Sequence, residues 1–361
     1  MASSSAKKVK DKVYPLLVPP TEEKIKQIEV NRNYHEDFGK GFVGQTEVIR
    51  DFLPYLETLQ YELKIGKRHD TTFGAFLLVG PTGTGKGEFA RNLAKTLHGS
   101  STKLLTIACN EYTMDHDVAK LAGANPGFVG FRETVPILAQ SRINAVSTEE
   151  CPVSIILWDE IEKASPKLFD VILNILDRAT YRLGDNTNVS FDNTIHIFTS
   201  NLGNQYGNKN NNYITGENQS VKQNQERQMK AIKGNFRPEF LNRIDKMFYF
   251  QPFSEQEMLQ LFRLELSKYF EIPCQNLYIS GVNIVAIIAD KTICVDILQS
   301  SESSLYGARE LKRQIRSKLG NIGLKLLTKL YENPPDEFIQ GELMFTQETK
   351  SGAITAHFVG M

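Results

Sequence analysis

Little in this chain points to an extracellular, membrane or nucleic-acid role. It has four cysteines, Cys109, Cys151, Cys274 and Cys294, and no two stand at metal-ligand or redox-motif spacing. They are therefore expected to be reduced, buried thiols. The six histidines form no zinc-type pair. No apolar run is long enough to cross a bilayer. The first twelve residues are rich in Ser and Lys with no apolar segment behind them, so no secretory signal is expected and a cytoplasmic location is. Lysine plus arginine number 42 and aspartate plus glutamate 42, for a formal net charge of zero. That balance gives no general reason to expect nucleic acid or a membrane surface as partner.

The chain does contain a regular alternation. Apolar runs at 73–79, 103–107, 153–158, 195–199 and 246–250 are separated by helix-like segments. This pattern predicts a five-stranded parallel sheet covered on both faces. A polar connection rich in Asn, Gln and Lys spans about 203–228 and reads as a surface excursion. Beyond Gln251-Pro252 the character changes. Ser254 followed by Glu257 predicts a capping box, and Leu311, Ile315, Leu319, Ile322 and Leu326 recur at helical spacing. Alternation at 338–346 and 353–359 predicts a two-stranded hairpin. The expected organisation is a tail and lead-in over 1–40, a large α/β domain over 41–251, and a smaller, mainly helical domain over 252–361.

The strongest motif is Gly80-Pro81-Thr82-Gly83-Thr84-Gly85-Lys86. It follows a strand-like run and opens a helix-like one, the setting of a phosphate-binding loop. Glycines let backbone N–H groups point inward, and the helix N-terminus adds positive potential. Lys86 is expected to reach the β- and γ-phosphates. The next position normally supplies a Ser or Thr hydroxyl to Mg²⁺, and here it is Gly87. Binding is therefore expected to survive better than fast hydrolysis. Downstream, an apolar strand ends in Asp159-Glu160. Those carboxylates are expected to hold Mg²⁺ (Asp159) and to polarise the attacking water (Glu160). Trp158, the sole tryptophan, adjoins Asp159 and is expected to report nucleotide binding by fluorescence.

With these elements in place, the chain from about Phe42 onward resembles the second ATPase module of Clp unfoldases, closest to ClpB-type disaggregases. Phe42-Val43-Gly44-Gln45 is similar to the turn that packs on adenine, which implies nucleotide contacts by Val43 and Gly44. Thr199-Ser200-Asn201-Leu202-Gly203 resembles the sensor strand, which implies that Asn201 orients the attacking water. The run from Phe236 to Asp245 resembles the arginine-finger segment, which implies that Arg243 completes a neighbour's site. Gly307-Ala308-Arg309-Glu310-Leu311 resembles the second sensor, which implies nucleotide contact by Arg309. The run from Gly123 to Phe131 is similar to a pore loop in which Gly127, Phe128, Val129 and Gly130 would grip polypeptide.

The resemblance implies a P-loop AAA+ large domain with a lid domain. Pro81, Thr82, Gly83, Thr84, Gly85, Lys86, Gly87 and Glu88 would cradle ATP and Mg²⁺. It implies a homo-oligomer, in all expectation a hexameric ring, with polypeptide as substrate and room for an adaptor. No preceding ATPase module or middle domain is found in the sequence. The 203–228 connection lacks an Ile-Gly-Leu or Ile-Gly-Phe tripeptide, so a ClpP-type peptidase partner is not expected. Two other readings remain: a nucleotide-gated binding protein that hydrolyses weakly because of Gly87, and a nucleic-acid motor or loader.

Overall fold

The computed structural model describes residues 34–40, 42–65, 71–123, 135–203, 218–299, 303–348 and 351–360. The first strand, β1 (Gly74–Val79), is buried along its whole length. It is followed by β2 (Leu105–Ala108), β3 (Ser154–Asp159), a small antiparallel pair β4 (Thr180–Arg182) and β5 (Asn188–Ser190), then β6 (Thr194–Ser200) and β7 (Lys246–Tyr249). The main sheet has five strands in the order β2-β3-β6-β1-β7, with every neighbouring pair parallel. These are the five runs the sequence predicts.

Alternation along β1 distributes the core to both sides of the sheet. Phe76 and Leu78 join Phe52, Phe89 and Phe248 on one face. Leu77 and Val79 join Trp158, Ile172, Phe198 and Phe240 on the other. Helices Thr46–Ile65 and Lys86–His98 cover the first face, and helix Pro166–Arg178 covers the second. The lead-in contributes to the core as well. Tyr34 and Phe38, in helix Tyr34–Lys40, are buried in the first cluster, and Asn92 Nδ2 donates to the Phe38 carbonyl at 2.7 Å.

Trp158 and His196 stand on adjacent strands inside this core. The indole N–H donates to His196 Nδ1 at 3.1 Å, and His196 Nε2 lies 2.8 Å from Thr194 Oγ1. Complete burial pulls the His196 pKa down to about 3, which fixes a consequence for stability. Above pH 6.5 the imidazole is neutral in both folded and unfolded chains and contributes no pH dependence. Between 6.5 and about 3 only the unfolded chain takes up the proton, so stability falls by about 1.4 kcal/mol per pH unit. Below about 3 that dependence ends. In His196→Gln, which cannot titrate, this share of the acid slope should disappear from denaturant melts; an unchanged slope would contradict the assignment.

After Pro252 the chain builds a second, smaller unit around its own core. Helix Glu255–Ile279 starts with both arms of the expected capping box, Ser254 and Glu257. It leads to β8 (Val282–Ala289), helices Lys291–Gln299 and Ser303–Ile315, and helix Asn321–Glu332. The chain closes with β9 (Ile339–Gln347) and β10 (Ile354–Gly360). The two last strands pair antiparallel as expected, but β8 adds to β9 in parallel and makes the sheet three-stranded. The helical stripe is also corrected. Residues Arg316–Gly320 form a π-helical turn, whose extra residue shifts the inward face. Leu311, Ile315 and Leu319 are buried and the stripe continues at Gly323 and Leu327, while Ile322 and Leu326 are only half-buried.

All four cysteines are free thiols, but only Cys109 and Cys151 are buried; Cys274 and Cys294 are partly exposed. Burial pushes the Cys151 and Cys274 thiols up to about 11, which keeps them poorly reactive at neutral pH. Among the described residues no helix is long and apolar enough to cross a membrane.

Candidate functional site

In an open parallel sheet, ligand sites form beyond the carboxyl ends of the strands. Here the loop after β1, the end of β3 and the end of β6 meet the second unit around a cavity of about 300 Å³. The loop after β1 is held open by left-handed glycines, Gly83 at φ +80° and Gly85 at φ +100°. A Cβ on Gly85 would stand 3.1 Å from the Phe42 ring, so a side chain there would both crowd that ring and strain the left-handed backbone. Helix Lys86–His98 then begins with no side-chain cap on its first amides. Such amides and the helix dipole favour an anion.

Lys86 is only 8% exposed. Its Nζ donates to the Gly80 and Pro81 carbonyls at 2.7 and 2.8 Å and to Asn201 Oδ1 at 2.8 Å. Burial pulls its pKa down to about 8; the Glu162, Asp159 and Glu160 carboxylates oppose that pull, and Arg309 adds to it. An anionic ligand would restore the ammonium. Above pH 8 binding must therefore take up a proton, and affinity for a nucleoside triphosphate should fall by up to about tenfold per pH unit. Titrations from pH 7 to 9.5 test this; an affinity that is flat or rising would contradict it.

The acidic side of the cavity is fixed by β6. Thr199 Oγ1 donates to Asp159 Oδ1 at 2.5 Å and accepts from the Glu160 backbone N–H at 3.0 Å. Glu160 itself sits at φ +57°, a conformation a non-glycine residue adopts only where its surroundings impose it. Lys163 Nζ lies 2.6 Å from Glu160 Oε2, and Asn201 Nδ2 lies 3.4 Å from Oε1. Asn201 thus bridges Lys86 and Glu160, while its backbone N–H donates to Glu162 Oε1 at 3.0 Å.

The remaining wall comes from the second unit and from the turn at Phe42. Val43, Leu261 and Ala308 offer apolar surface, and Arg309 and Lys312 offer positive charge. The second unit touches the glycine loop directly, since the Ala308 N–H donates to the Gly83 carbonyl at 3.0 Å. Gln45 clips the Phe42 turn in place. Its amide donates to the Gln251 carbonyl at 2.7 Å and its oxygen accepts from the Gln251 N–H at 3.0 Å.

Most site residues expected from sequence therefore converge: Val43, Thr82, Gly83, Gly85, Lys86, Gly87, Glu88, Asp159, Glu160, Asn201 and Arg309 all line the cavity. Others do not. Thr84 is buried and turns back to the Pro81 carbonyl at 2.8 Å. Gly44 and Pro81 shape the turns without forming wall. Arg243 is exposed, away from the cavity, and ion-paired with Asp177 of helix Pro166–Arg178. Gly127, Phe128, Val129 and Gly130 lie outside the described residues. Trp158 does not face the cavity, which takes Leu157 and Asp159 from β3. It is fully buried and stacks on Phe198, so any response of its fluorescence to nucleotide would have to pass through Asp159 and the core rather than through direct contact. Glu162, Thr199, Lys163 and Gln45 were not singled out from sequence, although all four lie inside recognisable motifs.

The residues present fit a nucleotide with its metal. One end of the cavity is apolar and the other combines inward amides, a lysine and an anchored carboxylate. Among the described residues no group of three or more metal-ligating side chains occurs. The Asp159 carboxylate, anchored by Thr199, suits Mg²⁺, which keeps several waters and takes one or two carboxylates besides phosphate.

The AAA domain family (Cdc48 subfamily) matches residues 71–247, just under half of the chain. A chaperone protein ClpB 1 from Nostoc sp. is 29% identical over 338 residues, covering 91% of this chain and 34% of that protein. ClpB of Agrobacterium fabrum is 32% identical over 292 residues, 79% of this chain and 30% of that protein. ClpB of Bacteroides thetaiotaomicron is 33% identical over 313 residues, 85% of this chain and 34% of that protein. The chain thus spans about a third of the length of these relatives. The β2-β3-β6-β1-β7 sheet, its glycine loop and these matches together support assignment of this chain as a Clp-type AAA+ protein that resembles ClpB.

Proposed function

We propose that the chain is an ATP-dependent remodeller of other proteins. On this reading 41–251 forms the ATPase domain and 252–361 the lid. The observation that carries it is the convergence of Lys86, Asp159, Glu160 and Asn201 on one cavity that the second unit closes with Arg309. Backbone amides of the loop and Lys86 hold the phosphates, Val43 and Leu261 hold the base, and Asp159 anchors the metal. Bound Mg²⁺ supplies charge neutralisation at the β- and γ-phosphates. Glu160, steadied by Lys163 and Asn201, is placed to take a proton from water. Because Ala308 is bonded to Gly83, a change at the loop is passed directly to the lid.

The larger activity follows the ClpB chaperones this chain resembles. Arg243, exposed on a separate surface, is suited to act on a neighbour's γ-phosphate. A site completed in trans requires a neighbouring copy of the chain, and the resemblance to ClpB makes that assembly a ring, taken here as hexameric and cytoplasmic, with polypeptide gripped by the loop at Phe128. Sizing of the Glu160→Gln protein tests this: saturating ATP should drive assembly, and a protein that stays monomeric would count against the ring. Gly87 favours one other reading, a nucleotide switch with slow turnover. Tight ATP binding with no hydrolysis, restored by Gly87→Thr, would select it.

A further inference from the structure

One charged side chain of the cavity wall has no part in the reading above. Arg91 stands four residues after Gly87 on helix Lys86–His98, so the two share a face. A Cβ placed on Gly87 would lie 3.5 Å from Arg91 Nη2 and 4.0 Å from Nη1. The guanidinium therefore borders the space that a Ser or Thr side chain would enter. It pairs with Glu88, with Nε 3.0 Å from Oε2 and both side chains well exposed, at 51% and 40%. An exposed pair of this kind is worth little and is readily exchanged for phosphate, which a guanidinium binds by parallel N–H donors.

The acidic groups across the cavity do not forbid a triphosphate in the absence of metal. Glu160 is paired with Lys163, Asp159 accepts from Thr199, and Lys86 stands beside Asp159, Glu160 and Glu162. We propose that Arg91 is a phosphate-binding residue that supplies part of the charge neutralisation a divalent cation normally provides, so that this site holds a nucleoside triphosphate nearly as well without Mg²⁺ as with it. The inference rests on reading the cavity as a nucleotide site. An organic cation beside Gly87 and the missing hydroxyl at 87 are then two parts of one arrangement. Nucleotide retention no longer depends on the metal, while hydrolysis still does.

The test is calorimetric titration of the full chain with the slowly hydrolysed analogue ATPγS, in Mg²⁺ and in EDTA. For the wild type the two dissociation constants should agree within about threefold. Arg91→Gln should weaken binding at least about tenfold in EDTA and less than about threefold in Mg²⁺, with Arg91→Lys intermediate in EDTA. Thermal melts of each variant without nucleotide exclude misfolding as the cause. Wild-type binding that needs Mg²⁺, or an Arg91→Gln loss equal in both buffers, would overturn the role of Arg91 while leaving the nucleotide site intact. No binding in either buffer would remove the nucleotide site itself, and this inference with it.

Discussion

Replacing Glu160 by Gln is expected to lower Mg²⁺-ATP turnover by at least about 100-fold, the range typical of a lost general base, while nucleotide binding changes little. The expectation comes from geometry. Glu160 is in the left-handed region, its backbone N–H is held by Thr199, and its carboxylate is held between Lys163 and Asn201. Glutamine keeps the size, accepts from only one of Lys163 and Asn201 where the carboxylate accepts from both, and does not accept a proton from water. Steady-state phosphate release by wild type and variant measures the effect. Equal rates would remove Glu160 from the chemistry; a parallel loss of ATPγS affinity would make it a structural residue instead.

Gly307→Ala should have the second large effect, through a different link in the chain of cause. Gly307 has φ +58° and ψ −139°, a conformation essentially reserved for glycine. An added Cβ would stand 2.7 Å from the Gly83 carbonyl oxygen and 3.1 Å from its carbon. Backbone is on the far side of that contact, so no side chain can swing aside. Either the phosphate loop or the lid must move, and the Ala308–Gly83 hydrogen bond goes with it. Triphosphate affinity is expected to fall at least about tenfold, with about 1–3 kcal/mol of strain on the folded state. Gly352→Ala is the matched control, because Gly352 has φ +68° with nothing within 4 Å of the added Cβ. It should lose some stability and no nucleotide affinity. If both variants bind equally well, the lid is not coupled to the loop at this joint.

The features legible in the sequence are those that depend on local pattern. Buried parallel strands must be apolar on both faces, so 73–79, 153–158 and 195–199 announce themselves as runs. The loop at Gly80–Lys86 and the carboxylates at Asp159 and Glu160 are motifs whose chemistry lies in residue type and spacing. What spacing cannot carry is direction and long-range pairing. Trp158 precedes Asp159 by one residue, yet alternation along β3 sends it into the core and away from the cavity. Gln45 reaches a partner at Gln251, which no local pattern announces. The run at 282–289 is apolar but becomes a parallel partner of β9 only through the fold. The inward stripe shifts at Arg316–Gly320 because a π-helical turn adds a residue that helical periodicity does not foresee. Arg91 reads as an ordinary surface charge until the structure places it against Gly87.

The account turns on one claim, that the cavity between the glycine loop and the lid binds a nucleoside triphosphate through Lys86. Calorimetric titration of Mg²⁺-ATPγS into the wild type and into Lys86→Ala, side by side at pH 7, tests it most directly. The predicted result is saturable binding by the wild type with one nucleotide per chain, weakened at least about tenfold in the variant. A folded wild type that shows no saturable binding, or a variant that binds as tightly as the wild type, would contradict it.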